Sequence, residues 1–272
     1  MPDETTEIVA LIPAAGRSTR LPDLACSKEL IPLVRGDVND YVASASVRVA
    51  IEDCMLMLAA NGVRKAFVVI APDKDDIPAY LGDGRHTGVV PTYLVRKSSP
   101  SVPHTLAAAI PELGERNAVL VFPDILFRPR NAVSMIADLQ HRSGAGITLA
   151  LVPSARGDKV DIVSTSRNGM VTRIDAKPGH GIGGWTWVAA VWGPEFSDFL
   201  AGYILRAGPR TAPEMHVSDV FNAAIRHDIN ICSLTFPAGE ALDIGTPEDL
   251  QRLWRQGFWP ARPARERANS EV

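Results

Sequence analysis

The stretch from Ile8 to Leu33, IVALIPAAGRSTRLPDLACSKELIPL, constrains the fold more than any other part of the chain. It opens with an apolar run, Ile8 to Ile12, short enough for a buried strand and bounded by Pro13. A turn of small residues follows, Ala14-Ala15-Gly16, and then three cations, Arg17, Arg20 and Lys28. A buried strand that ends in such a loop delivers backbone N–H groups to one point. Small side chains let a phosphate approach that backbone, and nearby cations neutralise its charge. The same residues also read as a solvated basic loop after an ordinary strand, and on their own they leave both readings open.

The rest of the first half alternates apolar strands with helical periods. Ser46 to Ala60 has helical spacing and ends at Asn61-Gly62, whereas Val34 to Tyr41 reads as irregular. Strands are expected at 66–71, 89–95, 118–122 and 147–152, and helices at 76–81, 103–113 and 132–141. This order predicts an α/β fold, a Rossmann-like and mostly parallel sheet with helices on both faces. Ligands of such sheets bind beyond the carboxyl ends of the strands.

The pattern changes after Pro153. Val160 to Ile174 reads as a strand pair turning at Asn168-Gly169, and Trp185 to Trp192 as another strand. Helices are expected at 195–205 and 216–227, a strand at 230–236, and a last helix opened by Thr246-Pro247-Glu248-Asp249. No linker divides the chain. One domain over 1–259 is expected, with 8–152 as its parallel-sheet part, 153–259 as a smaller β-containing part, and a disordered tail at 260–272.

A net charge of −3 gives no general field for nucleic acid or a membrane surface. No apolar run reaches the roughly 18 residues of a membrane span, and the acidic start does not read as a signal peptide. Cys26, Cys54 and Cys232 are odd in number and widely spaced, so free thiols in a reducing cytoplasm are expected.

Asp124 follows the strand AVLVF. A carboxylate just past a buried central strand is placed to hold Mg²⁺, which takes oxygen ligands, although a loop-capping Asp fits as well. Asp243 precedes the last helix, where its own residues read as an Asx-turn. Trp185 and Trp187 alternate along a strand and share a face, as a pocket wall or as core packing. The six histidines are scattered, and none pairs at metal-ligand spacing.

A-G-R-S-T-R-L followed by S-K-E-L-I-P resembles the signature of the sugar-nucleotide pyrophosphorylases, the sugar-1-phosphate nucleotidyltransferases, and is most similar to their glucose-1-phosphate thymidylyltransferase branch. A-L-D-I-G-T-P-E-D-L resembles a second motif of that family, and Leu81-Gly82-Asp83-Gly84 a third. The spacer between Arg20 and Lys28 is about two residues shorter than the family's. The resemblance implies the following roles. Arg20, Lys28 and Lys177 serve catalysis, and Lys177 also holds the acceptor phosphate. Asp124 and Asp243 bind Mg²⁺. Ala14, Ala15, Gly16, Arg17 and Ser18 cradle the triphosphate, with Arg96, His104 and Thr105 near the base. Trp185 and Trp187 line the acceptor site. At the family's sugar-binding Glu the chain has Ala176, and Asp175 is one residue off register.

These roles imply a Mg²⁺-dependent nucleotidyltransferase joining a nucleoside triphosphate to a sugar 1-phosphate or a related phosphorylated acceptor, with release of pyrophosphate. A cytidylyltransferase acting on a cyclitol or phosphonate is the alternative within the class, and an inactive sugar-nucleotide-binding regulator the alternative outside it. The expected partners are these small molecules, with neither nucleic acid nor membrane. The resemblance also allows a homo-oligomer.

Overall fold

The computed structural model describes residues 7–16, 21, 24–35, 46–97, 99–208 and 214–256. Arg17, Ser18, Arg20 and the tail at 260–272 lie outside them. In chain order the elements are β1 (Ile8–Ala14), a single 3-10 turn (Lys28–Leu30), β2 (Pro32–Arg35), β3 (Ser46–Val49), α1 (Ala50–Ala60), β4 (Lys65–Ile70), α2 (Asp76–Leu81) and β5 (Val90–Val95). Then come α3 (Val102–Ala107), α4 (Ile110–Leu113), β6 (Asn117–Leu120), β7 (Ile125–Arg128), α5 (Ala132–Ser143) and β8 (Ile147–Ser154). The last third holds β9 (Ile162–Thr165), β10 (Val171–Asp175), β11 (Gly184–Trp192), α6 (Pro194–Ala207), α7 (Val217–Arg226), β12 (Ile231–Thr235), β13 (Glu240–Asp243) and α8 (Pro247–Gln256).

Strands β6, β1, β4 and β5 lie side by side and run parallel. Their apolar runs carry side chains to both faces, as strands covered on both sides must. Along β1, Val9 and Leu11 enter one core with α3, α4, α6 and α7, while Ala10, Ile12 and Ala14 enter the other with α1, α2 and α5. Strand β11 runs antiparallel beside β6 and carries the sheet on to β8 and β9, with β12 beyond β8 and β10 beyond β9. The sheet is therefore parallel in its first half and mixed in its second.

A third, smaller cluster matters most for the site. Leu21, Ile31, Leu33, Leu126, Leu242, Ile244, Leu250 and Leu253 pack together. They join the loop after β1 to the two-stranded β7–β13 sheet and to α8. Each such burial contributes roughly 1.5–3 kcal/mol. The cluster brings segments from both ends of the chain beside Lys28.

Four features differ from the sequence reading. Ser46–Val49 is a strand paired with Pro32–Arg35, and the helix starts only at Ala50. Long-range pairing overrides the helical period here, and Val47 is exposed accordingly. The same pairing makes Val34 and Arg35 part of a strand rather than an irregular segment. The helix expected at 103–113 is two short helices, broken before α4. In an unbroken helix the ring of Pro111 would clash with the carbonyl of Ala107. The short pair β7–β13 was not foreseen.

The Leu81-Gly82-Asp83-Gly84 turn is architectural. Gly84 has φ +73°, and a Cβ there would lie 2.0 Å from the Val89 carbonyl oxygen.

Candidate active site

Lys28 rises from a loop that is tied down on both sides. Before it, the Ser27 backbone N–H and hydroxyl both donate to Asp76, at 2.6 and 2.7 Å, in the first turn of α2. After it, the buried Glu29 accepts two hydrogen bonds from Lys74, at 3.0 and 2.8 Å. Burial pushes the Glu29 carboxyl up, and Lys74 works against it. An unpaired charge at this depth would be costly, so the pair holds the loop in one conformation.

The Lys28 ammonium donates to Asp124 Oδ2 at 2.5 Å. Burial acts to lower its pKa. The Asp124 carboxylate, aided by Glu29 and Asp243, outweighs burial and raises it, so Lys28 stays charged. Asp124 is itself buried, in the loop between β6 and β7. Its carbonyl oxygen accepts the Ile244 N–H at 2.9 Å, and Asp243 pairs with Ile125. The antiparallel β7–β13 pair thus sets the two aspartates on neighbouring chains. Asp243 Oδ1 also accepts the Gly245 N–H at 2.7 Å, so the Asx-turn and the placement toward Lys28 occur together.

The rest of the C-terminal motif locks α8. Thr246 Oγ1 accepts the Asp249 N–H at 3.3 Å and donates to Asp249 Oδ2 at 2.7 Å. Arg156 and Lys159 each donate to the same carboxylate at 2.8 Å. Burial acts to raise the Asp249 pKa, but these donors win and hold it at about 2.

Two cavities meet at Lys28. The larger, of about 740 Å³, is lined by Ala15, Gly16, Arg96, Ser101 and Thr105 as well as Lys28. It lies beyond the carboxyl ends of β1 and β4, where parallel sheets take their ligands. The other, of about 360 Å³, is lined by Lys177, Trp187, Asp161, Asp243 and Arg252 as well as Lys28.

The remaining sequence candidates divide between these cavities and the frame around them. Ala14 is buried at the end of β1. The Arg96 side chain donates to the Ala108 carbonyl at 2.7 Å. His104 does not line either cavity; its Nδ1 lies 2.8 Å from the Ser101 hydroxyl. Trp185 packs against the core beside Val163, whereas Trp187 reaches the smaller cavity. The two tryptophans share the strand's alternation and are both half-buried, but only Trp187 lines the cavity. Lys177 has φ +43° and reaches the smaller cavity from the loop after β10. Ala176 does not line it, and Asp175 is engaged by Arg173.

Sequence reasoning missed Arg156, Lys159, Asp161 and Arg252. They carry no local motif and converge only through folding. Asp124 and Asp243 offer hard oxygen donors side by side, which fits Mg²⁺. Among the described residues no third acidic, His or Cys side chain joins them.

Comparison with known proteins bears on the family and the fold. The family model described as Nucleotidyl transferase matches residues 9–256. A glucose-1-phosphate thymidylyltransferase of Neisseria meningitidis is 26% identical over 245 residues, 88% of this chain and 79% of its own. Among solved structures, a Bacillus anthracis protein provisionally assigned as a glucose-1-phosphate thymidylyltransferase superposes with a TM-score of 0.77 at 16% identity, covering 94% of this chain and 97% of that one. A UDP-glucose pyrophosphorylase of Acinetobacter gives 0.69 at 18% identity, covering 90% and 91%. At these identities the two structures speak to the fold.

Proposed function

The chain belongs to the nucleotidyl transferase family, and from that premise we propose that it transfers a nucleoside monophosphate from a nucleoside triphosphate to a sugar 1-phosphate or a related phosphorylated acceptor. The observation that carries this reading is Lys28, a charged ammonium on the wall shared by two cavities, with Asp124 and Asp243 beside it. One cavity has room for a nucleotide and the other for an acceptor.

In the reaction an acceptor phosphate oxygen attacks the α-phosphorus in line. The bond from that phosphorus to the bridging oxygen breaks, and pyrophosphate leaves with the bond pair. Such a transfer needs positioning and charge neutralisation rather than a covalent step by the protein. Lys28 neutralises charge that develops on the α-phosphoryl group, and its fixed loop removes the cost of reorganising it. Lys177 holds the incoming phosphate. Arg20 and the loop amides of Ala15 to Ser18 take the leaving phosphates, a role assigned by resemblance. Asp124 and Asp243 would hold Mg²⁺, which would supply positive charge to the reacting phosphates. Trp187 lines the acceptor side and Thr105 the nucleotide side.

Among the described residues no helix is long and apolar enough to cross a membrane. Action on small molecules in the cytoplasm is part of the proposal.

A thermal-shift screen with Mg²⁺ and each of dTTP, UTP, CTP, GTP and ATP tests the reading. A ligand of the folded state adds about 2.7 kcal/mol at a hundred times its dissociation constant. A clear shift with one triphosphate supports the proposal and names the base. No shift with any of them contradicts it.

A further inference from the structure

Asp161 is a charged wall of the acceptor cavity that the transfer chemistry leaves without a role. Strands β9 and β10 pair antiparallel, and their last pair is Ile162 with Asp175. Asp161 directly precedes Ile162 and Ala176 directly follows Asp175, so both lie just past the end of this pairing. Asp175 itself is engaged by Arg173, and Ala176 carries no polar group. Asp161 lines the same cavity as Lys28, Lys177 and Asp243, whereas Ala176 does not.

Its orientation is set. The Trp187 indole N–H donates to Asp161 Oδ2 at 3.3 Å, and Trp187 is held in turn against Phe122 and Phe221 by edge-on ring contacts. An ionised carboxylate accepts several hydrogen bonds and donates none. One oxygen is directed by the indole, which leaves the other for a donor on the ligand. The cavity thus carries two kinds of polar group. Lys28 and Lys177 suit a phosphate. Asp161 and the Trp187 ring suit a polar substituent on an apolar frame.

Building on the functional reading above, we propose that Asp161 determines acceptor specificity by accepting a hydrogen bond from a donor group of the acceptor, a hydroxyl or an ammonium, while Lys28 and Lys177 hold its phosphate. A hydrogen bond to a charged group affects affinity strongly, and leaving the carboxylate without its donor adds a desolvation penalty. Discrimination of this kind rejects acceptors that lack the donor.

The test measures pyrophosphate release with Mg²⁺, the triphosphate identified by thermal shift, and either glucose 1-phosphate or glucosamine 1-phosphate. It compares the wild type with Asp161→Ala, Asp161→Asn and Trp187→Phe. The expected result for Asp161→Ala and Asp161→Asn is a rise of roughly ten- to a hundredfold in acceptor KM, with the triphosphate KM within about twofold of wild type. The unchanged triphosphate KM reports an intact fold. Trp187→Phe, which keeps a ring but removes the tether, gives a smaller rise. An effect confined to glucosamine 1-phosphate identifies the donor as the ammonium, and an effect on both identifies a hydroxyl. Active wild type with an unchanged acceptor KM in both Asp161 variants overturns this inference alone. Wild type that releases no pyrophosphate with either of these or with a panel of other phosphorylated acceptors overturns the functional reading, and this inference with it.

Discussion

Lys28 Nζ lies 2.5 Å from Asp124 Oδ2, a contact between residues 96 positions apart. The cation assigned to the α-phosphate and a carboxylate assigned to Mg²⁺ are held as an ion pair. A metal–triphosphate complex would offer each a partner of opposite charge.

Replacing Lys28 with Ala removes that charge from between the two cavities. Turnover is expected to fall about a hundred- to a thousandfold, the usual effect of deleting one preorganised electrostatic group. The fold should persist, because the loop is held by Ser27–Asp76 and Glu29–Lys74. Steady-state kinetics and a melting curve check the two halves together. Unchanged turnover would remove Lys28 from the chemistry.

Asp124→Asn and Asp243→Asn each lower the charge at the site proposed for Mg²⁺ while keeping the side chain's size. The half-saturating Mg²⁺ concentration for pyrophosphate release should rise by about tenfold or more in each variant. A chelator should abolish wild-type turnover, and added Mg²⁺ should restore it. A magnesium titration that superposes on wild type would show that the carboxylate in question is structural.

The Glu29–Lys74 pair predicts a thermodynamic cycle. Lys74→Met strands a buried carboxylate and should cost about 3–5 kcal/mol in urea unfolding. Adding Glu29→Gln removes the stranded charge and should recover much of that loss. Additive losses in the double variant would mean that the two side chains act independently.

The parts of this account that the sequence carries are those written as contiguous strings. The Ile8–Leu33 stretch, the strand before Asp124 and the string around Asp243 each encode one local shape, a buried strand or a capped turn. The structure brings all three to Lys28. The helical period over Ser46–Ala60 misled, because the pairing of Ser46–Val49 with Pro32–Arg35 depends on residues outside its window. Asp161 was invisible for a related reason. Its proposed role follows from lining one cavity with Lys28 and Lys177 and from a tryptophan 26 positions away, and neither relation has a local signature.

Asp249 predicts a pH dependence. Its folded pKa, about 2, lies below the ordinary value of 3.8. The network with Arg156, Lys159 and Thr246 therefore contributes fully above about pH 4 and is lost as pH falls toward 2, a contribution of about 2 kcal/mol. Wild type and Asp249→Asn should differ by about that amount at pH 7, and the gap should close between pH 4 and 2. Urea midpoints across this range check it. A gap independent of pH would place the effect in packing rather than ionisation.

The most direct test of the central claim follows the α-phosphate itself. Wild-type chain is incubated with Mg²⁺, a sugar 1-phosphate and each nucleoside triphosphate labelled at the α-phosphorus. The account predicts label in a sugar nucleotide, one pyrophosphate released per label transferred, and near-complete loss of both in Lys28→Ala. Triphosphate binding with no labelled sugar nucleotide from any acceptor would contradict it and leave a binding protein in place of a transferase.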